Sequence, residues 1–575
     1  MPLAGTSVSG LRPVWPFAAI GLLALALRVF YQLETRDVPF LRHLVGDAAG
    51  YDAWARAIAG GEWLGTEGFY QAPLYAYALA CVKVVLGDHV GVTRLVQAVW
   101  GALGTVALAV GTARLLGRRC GIVAGLMLAV YPTAIFFDGL IQKTSLGCAG
   151  VCVLLAAMAE YRHRPARWWA GCIGMVAALV ILTRENALVW APLLAIWIPG
   201  TLGSSRRERW RGHIGSYVVG MILVLGPVVV RNAVVCGDWS VSTFQAGPNF
   251  YIGNHIGASG RYTPLVRGHE TPVFERPDAT LIAERAEGQT LSPQEVSHYW
   301  MRRAIQDIRA EPVEWVRLIA RKVLMVWNRY EVSDVESEYV YRDYSVFARP
   351  LGSVWHFGVL CPMGVMGCVA TWHWRRRLWV YYALIVSMAA SVALFYVMAR
   401  YRFPLVPLLI PFAAAAVVAV WESLRADGLR RLVIPILAGL ASAVVVNLPL
   451  YDESRLNAMA EMNVGVALAR EGNVRDATVY FERAVKNHST SAEARNNLAQ
   501  ALAVQGMYGE AIPHYKAALG IEPTLIGVEY NLGVALEQVG RVNEALVHFE
   551  RAVDQDAQDD EARRAVVRLR RGSRE

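Results

Sequence analysis

Charge is scarce in this chain. Asp, Glu, Lys and Arg make up 18% of 575 residues, against about a quarter in ordinary soluble domains, which excludes a water-soluble enzyme as the whole molecule. The eight cysteines, Cys81, Cys120, Cys148, Cys152, Cys172, Cys236, Cys361 and Cys368, include no CxxC pair and no Cys/His zinc spacing. Neither a disulfide framework nor a zinc site is implied. No small-residue cleavage site follows the apolar run from Trp15 to Leu33, so that run reads as an uncleaved first span rather than a removed signal peptide. The membrane part has no visible internal repeat, which argues against a transporter. The net charge of +9 is concentrated in Arg-rich connections between apolar runs. It reads as membrane topology, not nucleic-acid binding.

What is present is apolar. Hydrophobic residues reach 55% and mean hydropathy is +0.33. Windows long enough for a membrane helix fall at 14–33, 71–87, 92–116, 120–137, 140–160, 167–183, 186–200, 213–236, 352–372, 379–398, 402–422 and 431–450. Five basic clusters mark one side: Arg114/Arg118/Arg119, Arg162/Arg164/Arg167, Arg206/Arg207/Arg209/Arg211, Arg375/Arg376/Arg377 and Arg425/Arg430/Arg431. An even number of spans separates each from the next, so all five can be cytoplasmic. A cytoplasmic N-terminus then requires one early segment not to cross. Residues 71–87, short and entered through Pro73, are the expected exception; an external N-terminus is the alternative. The other face collects the 34–70 loop, the 138–143 turn, Arg184/Glu185, the long 237–350 segment, Arg400/Arg402 and everything after 450.

Candidate chemistry gathers on that second face. Asp47 lies in Gly46-Asp47-Ala48-Ala49-Gly50-Tyr51-Asp52, directly after the first span. One carboxylate suffices to take the proton from an acceptor attacking a sugar's anomeric carbon; the competing reading is a helix N-cap. Asp52 lies five residues on, off the same helical face, and reads as structural. Two arginines, Arg400 and Arg402, on the face that lacks the Arg clusters imply an anionic partner such as a lipid phosphate; a plain headgroup contact is the alternative. Arg184 and Glu185 lie at membrane depth, where charges face a cavity or a partner. Asp138, Lys143, Glu185, Asp52 and Tyr75 stay open between substrate or metal contact and structural roles. Residues 237–350 are too long for a passive connection and are expected to cover the cavity and read part of a substrate. Lone histidines there make no metal site.

From Asn463 the chain repeats. Asn463/Asn497/Asn531, Gly472/Gly506/Gly540, Ala477/Ala511/Ala545, Phe481/Tyr515/Phe549 and Ala484/Ala518/Ala552 all recur at 34 residues, the tetratricopeptide period. Residues 463–552 thus present a surface for a protein or peptide partner, or a dimerisation or stability appendage. Residues 553–575 read as a charged capping helix and frayed tail.

Residues 14–450 resemble the membrane glycosyltransferases of the C-type fold, with the protein O-mannosyltransferase and aminoarabinose-transferase relatives nearest in pattern. The resemblance rests on the first-loop Asp47, Pro73-Leu74-Tyr75, Tyr131-Pro132…Asp138, Thr183-Arg184-Glu185 and Ala399-Arg400-Tyr401-Arg402-Phe403-Pro404. It implies an inverting transfer from a polyprenyl-phosphate sugar on the non-cytoplasmic face, Asp47 as the base and Arg400, Arg402 and Arg184 near the donor phosphate. The mannosyltransferases carry Asp-Glu where this chain has Asp47-Ala48, which puts protein mannosylation in doubt. Metal dependence differs within the fold, so a divalent cofactor stays open. The expected architecture is all-α: a polytopic bundle (1–450) and a tetratricopeptide solenoid (451–575), in a bacterial inner membrane. A scaffold without catalysis, and an O-antigen-type ligase or polymerase, are the competing functions.

Overall fold

The computed structural model describes residues 14–202, 209–241, 243–266, 269, 272–425, 428–556 and 558–572. Arg206 and Arg207 of the basic series, and the tail 573–575, lie outside them. The described chain is helical throughout, as its patterning implies. In order, the first half contains α1 (Trp15–Glu34), α2 (Pro39–Arg42), α3 (Gly46–Ala59), α4 (Leu74–Leu86), α5 (Val90–Leu116), α6 (Arg118–Ala129), α7 (Pro132–Gly139), α8 (Thr144–His163), α9 (Arg167–Ile181), α10 (Trp190–Gly200) and α11 (Trp210–Cys236). The long segment after α11 adds α12 (Ala246–Asn254), α13 (Pro272–Glu287), α14 (Pro293–Ala310), α15 (Pro312–Trp327) and α16 (Glu338–Tyr341). Then come α17 (Ala348–Val354), α18 (Phe357–Ala370), α19 (Arg375–Leu394), α20 (Ala399–Arg402), α21 (Leu405–Arg425) and α22 (Val433–Val446). Seven helices close the chain: α23 (Glu453–Arg470), α24 (Val474–Asn487), α25 (Ala492–Val504), α26 (Tyr508–Ile521), α27 (Val528–Gln538), α28 (Val542–Gln555) and α29 (Asp560–Gly572).

Six described helices are long and apolar enough to cross a bilayer: α1, α5, α8, α11, Trp372–Leu394 and α21. Two expected spans are bent pairs instead, α6 with α7 at 53° and α17 with α18 at 42°. The first bend falls where Tyr131 leaves helical geometry ahead of Pro132, a residue suited to open a new helix but not to continue one. Three other expected spans are shorter than predicted: α9, α10 and α22 have 15, 11 and 14 residues. At about 1.5 Å per residue they reach roughly 17–22 Å, short of a core about 30 Å thick. The segment expected not to cross, α4, has 13 residues.

Burial sorts the spans. Of the apolar window of α21, 72% is buried inside the bundle, against 22% for α11, so α21 is central and α11 presents most of its surface outward. Small residues let backbones approach closely. A Cβ on Gly111 of α5 would sit 2.8 Å from the Ala156 Cα of α8, and one on Gly220 of α11 would sit 2.2 Å from the Gly171 carbonyl of α9.

The chain forms two compact units. The first comprises residues 1–36, 45–332 and 344–450. The second comprises residues 451–575 together with two stretches from the first half, 37–44 and 333–343, a composition the sequence did not announce. Inside the second unit each repeat is a helix pair. Ala477, Ala511 and Ala545 are fully buried where the pairs meet, beside Phe481, Tyr515 and Phe549. Gly472, Gly506 and Gly540 take φ of 80°, 79° and 78° at the turn between paired helices, a conformation that favours glycine.

Candidate active site

The site begins where the chain turns into α3. Gly46 adopts φ 57° after an extended Val45, which brings Asp47 into the first turn. There the helix N-terminus favours a carboxylate. Asp47 is not merely a cap: no side-chain cap bond forms at this end. Its Oδ1 accepts from Gln71 Nε2 at 3.0 Å, and its Oδ2 accepts from Arg400 Nη1. Both partners of the ion pair are nearly buried, with side chains 9% and 12% exposed.

Arg400 is delivered by a tied-down strand of chain. Between α19 and α20, Val397 N–H donates to the Gly260 carbonyl at 2.9 Å, and at the start of α20 Ala399 N–H donates to the Val332 carbonyl at 2.8 Å. The arginine lies over the Tyr401 ring, 5.1 Å from its centroid. Arg184 approaches the same ring, at 5.3 Å. Arg184 Nη2 donates to Thr144 Oγ1 at 2.6 Å, and its Nη1 is buried without a hydrogen-bond partner among the described residues. Lys143, buried, lies 6.0 Å from the Tyr51 ring. Glu185 Oε1 accepts from Thr243 Oγ1 at 3.2 Å, linking the long 237–350 segment to the cluster.

The electrostatics follow from burial and sign. Burial pushes the Asp47 carboxyl up, but Arg400, Lys143 and the Gln71 bond together hold it below its ordinary value. Burial lowers the Lys143 ammonium, opposed by Glu185 and Asp47. Burial also lowers Arg184, to about 10, which leaves it a cation at neutral pH. Arg400, Arg184 and Lys143 thus face Asp47 and Glu185 in a buried cluster. The predominance of basic groups and the buried Arg184 Nη1 without a hydrogen-bond partner suit an anion.

Against this geometry, residues 70–230 match the family model described as dolichyl-phosphate-mannose-protein mannosyltransferase. Tetratricopeptide models match residues 458–525 and 502–569. No curated protein matches the chain. Among solved structures, the Archaeoglobus fulgidus oligosaccharyltransferase is similar at 12% identity and TM-score 0.42, over 75% of this chain and 52% of that one. The chain thus spans about half the length of that enzyme. ArnT from Cupriavidus metallidurans, solved with undecaprenyl phosphate, is similar at 17% identity and TM-score 0.38, over 89% of this chain and 79% of that one. YrrB, a tetratricopeptide protein with an unusual peptide-binding site, is similar at 18% identity and TM-score 0.19, over 34% of this chain and 87% of that one. The matched stretch contains Gln71, Lys143, Arg184 and Glu185; Asp47 and Arg400 lie on either side of it.

The remaining predicted residues separate from the cluster. Arg402, expected at the donor phosphate, is buried elsewhere. Its Nε donates to Glu331 at 3.0 Å and its Nη1 to the Val326 carbonyl at 3.1 Å, with Phe357 4.3 Å from its guanidinium. Those contacts engage its fork away from Asp47 and Arg400. Asp52 pairs with Lys83 at 2.7 Å and Arg56 at 2.8 Å, pinning α3 to α4. Asp138 pairs with Arg28 at 2.6 Å and accepts from Ser145. Tyr75 donates to Gln97 and meets Tyr51 edge-on at 5.1 Å. All three are structural contacts here. Gln71, Tyr401 and Thr243 belong to the site, although no sequence pattern assigned them a role. Among the described residues, no three His, Cys, Asp or Glu side chains gather as a metal site would need.

Proposed function

We propose that this protein transfers a sugar from a polyprenyl-phosphate donor to a protein, lipid or glycan acceptor, with inversion. The reaction takes place on the periplasmic face of a bacterial inner membrane, where the repeats engage a protein partner. The observation that carries this reading is the nearly buried Asp47–Arg400 pair, which stands in a cluster with Arg184, Lys143 and Glu185 that holds more basic than acidic side chains. The family match over residues 70–230 supports it.

The donor phosphate competes with Asp47 for Arg400. Once bound by Arg400 and Arg184, it draws the guanidinium away and leaves Asp47 free, with a higher proton affinity. The acceptor oxygen then attacks the anomeric carbon while its proton passes to Asp47. The new glycosidic bond forms as the bond to the phosphate oxygen breaks, and the polyprenyl phosphate leaves with the electron pair, stabilised by the arginines. Base assistance of this kind is worth about 10²–10⁴-fold.

The test incubates purified wild-type and Asp47→Asn protein with radiolabelled polyprenyl-phosphate sugars and follows loss of label from the lipid. Turnover by wild type alone supports the reading and identifies the donor. Equal turnover removes Asp47 as the base. No turnover and no donor binding by wild type points to the scaffold.

A further inference from the structure

Two stretches of the first half, 37–44 and 333–343, belong to the same compact unit as the repeats. Both pack on α23, the first helix of the first repeat. Val38 is fully buried, and Phe40 and Tyr341 nearly so; their rings stack with centroids 6.5 Å apart. Arg42 reaches Glu471 at 3.8 Å, and Arg483 bonds Asp343 at 2.9 Å. The first repeat therefore clasps two loops whose own residues supply buried aromatic anchors.

Residues 37–44 run by covalent continuity toward Asp47, and residues 333–343 follow a segment that hydrogen-bonds beside Arg400. Residues 37–44 end three residues before Asp47. Residues 333–343 begin directly after Glu331 and Val332. Glu331 holds Arg402, and the Val332 carbonyl accepts from Ala399 N–H, next to Arg400. The outer ends are also tied together: Glu34 accepts from Ser345 Oγ and, at 3.0 Å, from Val346 N–H.

We infer that the first tetratricopeptide repeat sets the spacing of Asp47 and Arg400 through its hold on these two stretches, with Phe40 and Tyr341 as positioning residues. The inference rests on the reading of Asp47 as the base. Any partner that disturbs the first repeat would thereby act on transfer.

The experiment uses the full-length protein in detergent and compares wild type, Phe40→Ala, Arg483→Glu and the swap Arg483→Glu/Asp343→Arg. Hydrogen exchange is read at 37–44, 45–51, 333–343 and 397–402, beside turnover of the polyprenyl-phosphate donor. Opening the clasp is expected to speed exchange at 45–51 and 397–402 by about tenfold along with the clasped stretches. Turnover number should fall while donor KM holds, and the swap should restore both readouts. Faster exchange confined to 37–44 and 333–343, with 45–51, 397–402 and turnover as in wild type, overturns the inference. If Phe40→Ala fails to fold, the charge pair and its swap decide. If wild type turns over no donor, the function reading fails, and the exchange pattern alone still decides whether the repeat and the ion pair are coupled.

Discussion

Arg400 and Gln71 hold opposite oxygens of one carboxylate, Asp47. That arrangement separates binding from chemistry. Replacing Asp47 by Asn removes the charge that competes with the donor for Arg400. Donor affinity should hold or improve, while turnover falls by about 10²–10⁴-fold. Arg400→Gln should do the reverse to affinity, weakening the donor about tenfold or more through loss of a charge-assisted contact. Equilibrium binding of a labelled polyprenyl phosphate, set beside turnover, distinguishes the two. Equal loss of affinity in both variants would sink the competition.

The same pair fixes a pH response. Asp47 is held below its ordinary value despite burial, so the folded state binds this proton less readily than the unfolded chain. The stabilisation is fully present above the unfolded value of about 3.9 and is lost as pH falls through the lower folded value. Wild type should be more stable than Asp47→Asn at pH 6–8, and the gap should close only below about pH 4. Thermal unfolding of both proteins across pH 3–8 checks it. A gap that closes near neutrality would mean that Asp47 titrates there.

The contacts of Arg402 with Glu331, the Val326 carbonyl and Phe357 favour a packing role, and its variants test that. Breaking a buried pair by removing one partner costs about 3–5 kcal/mol. Glu331→Gln and Arg402→Met should each lower folded yield or thermal midpoint. Donor KM should move little in the folded fraction. A double replacement, Glu331→Leu with Arg402→Met, should recover part of the stability. A selective rise in donor KM for Arg402→Met would return this residue to the phosphate.

Why sequence placed Arg400 and Arg402 together is instructive. They lie two apart on a four-residue helix, and two helical steps turn a side chain by about 200°. One therefore meets Asp47 and the other Glu331. Asp52, five residues beyond Asp47, diverges for the same reason and finds Lys83. The pairing of Arg28 with Asp138 joins residues 110 apart, and no local pattern announces it. The repeats were legible because period and turn geometry coincide: Gly472, Gly506 and Gly540 share one backbone conformation. The spans were legible as apolar runs, but not where Tyr131-Pro132 bends one of them. Gln71 carried no signal, since its role comes from a contact across the first loop.

Lys322 supplies a last prediction. It is fully buried on α15, and its Nζ donates to the carbonyls of Gly253 at 3.0 Å and Phe395 at 2.8 Å and to Asn254 Oδ1 at 3.0 Å. An ammonium has three protons, and three acceptors take them. Phe395 caps α19, so the contact also satisfies a helix end just before the strand that delivers Arg400. Lys322→Met leaves those oxygens without their donor, at a cost of about 1–3 kcal/mol. Hydrogen exchange at 253–260 and 394–398 should quicken. Burial lowers the lysine to about 7, below an unfolded value of about 10.4. Between those values the unfolded chain binds the extra proton, so this group makes stability rise with pH. The thermal midpoint of wild type should therefore climb relative to Lys322→Met from pH 7 to 9. Parallel midpoints over that range would show that Lys322 keeps its proton throughout.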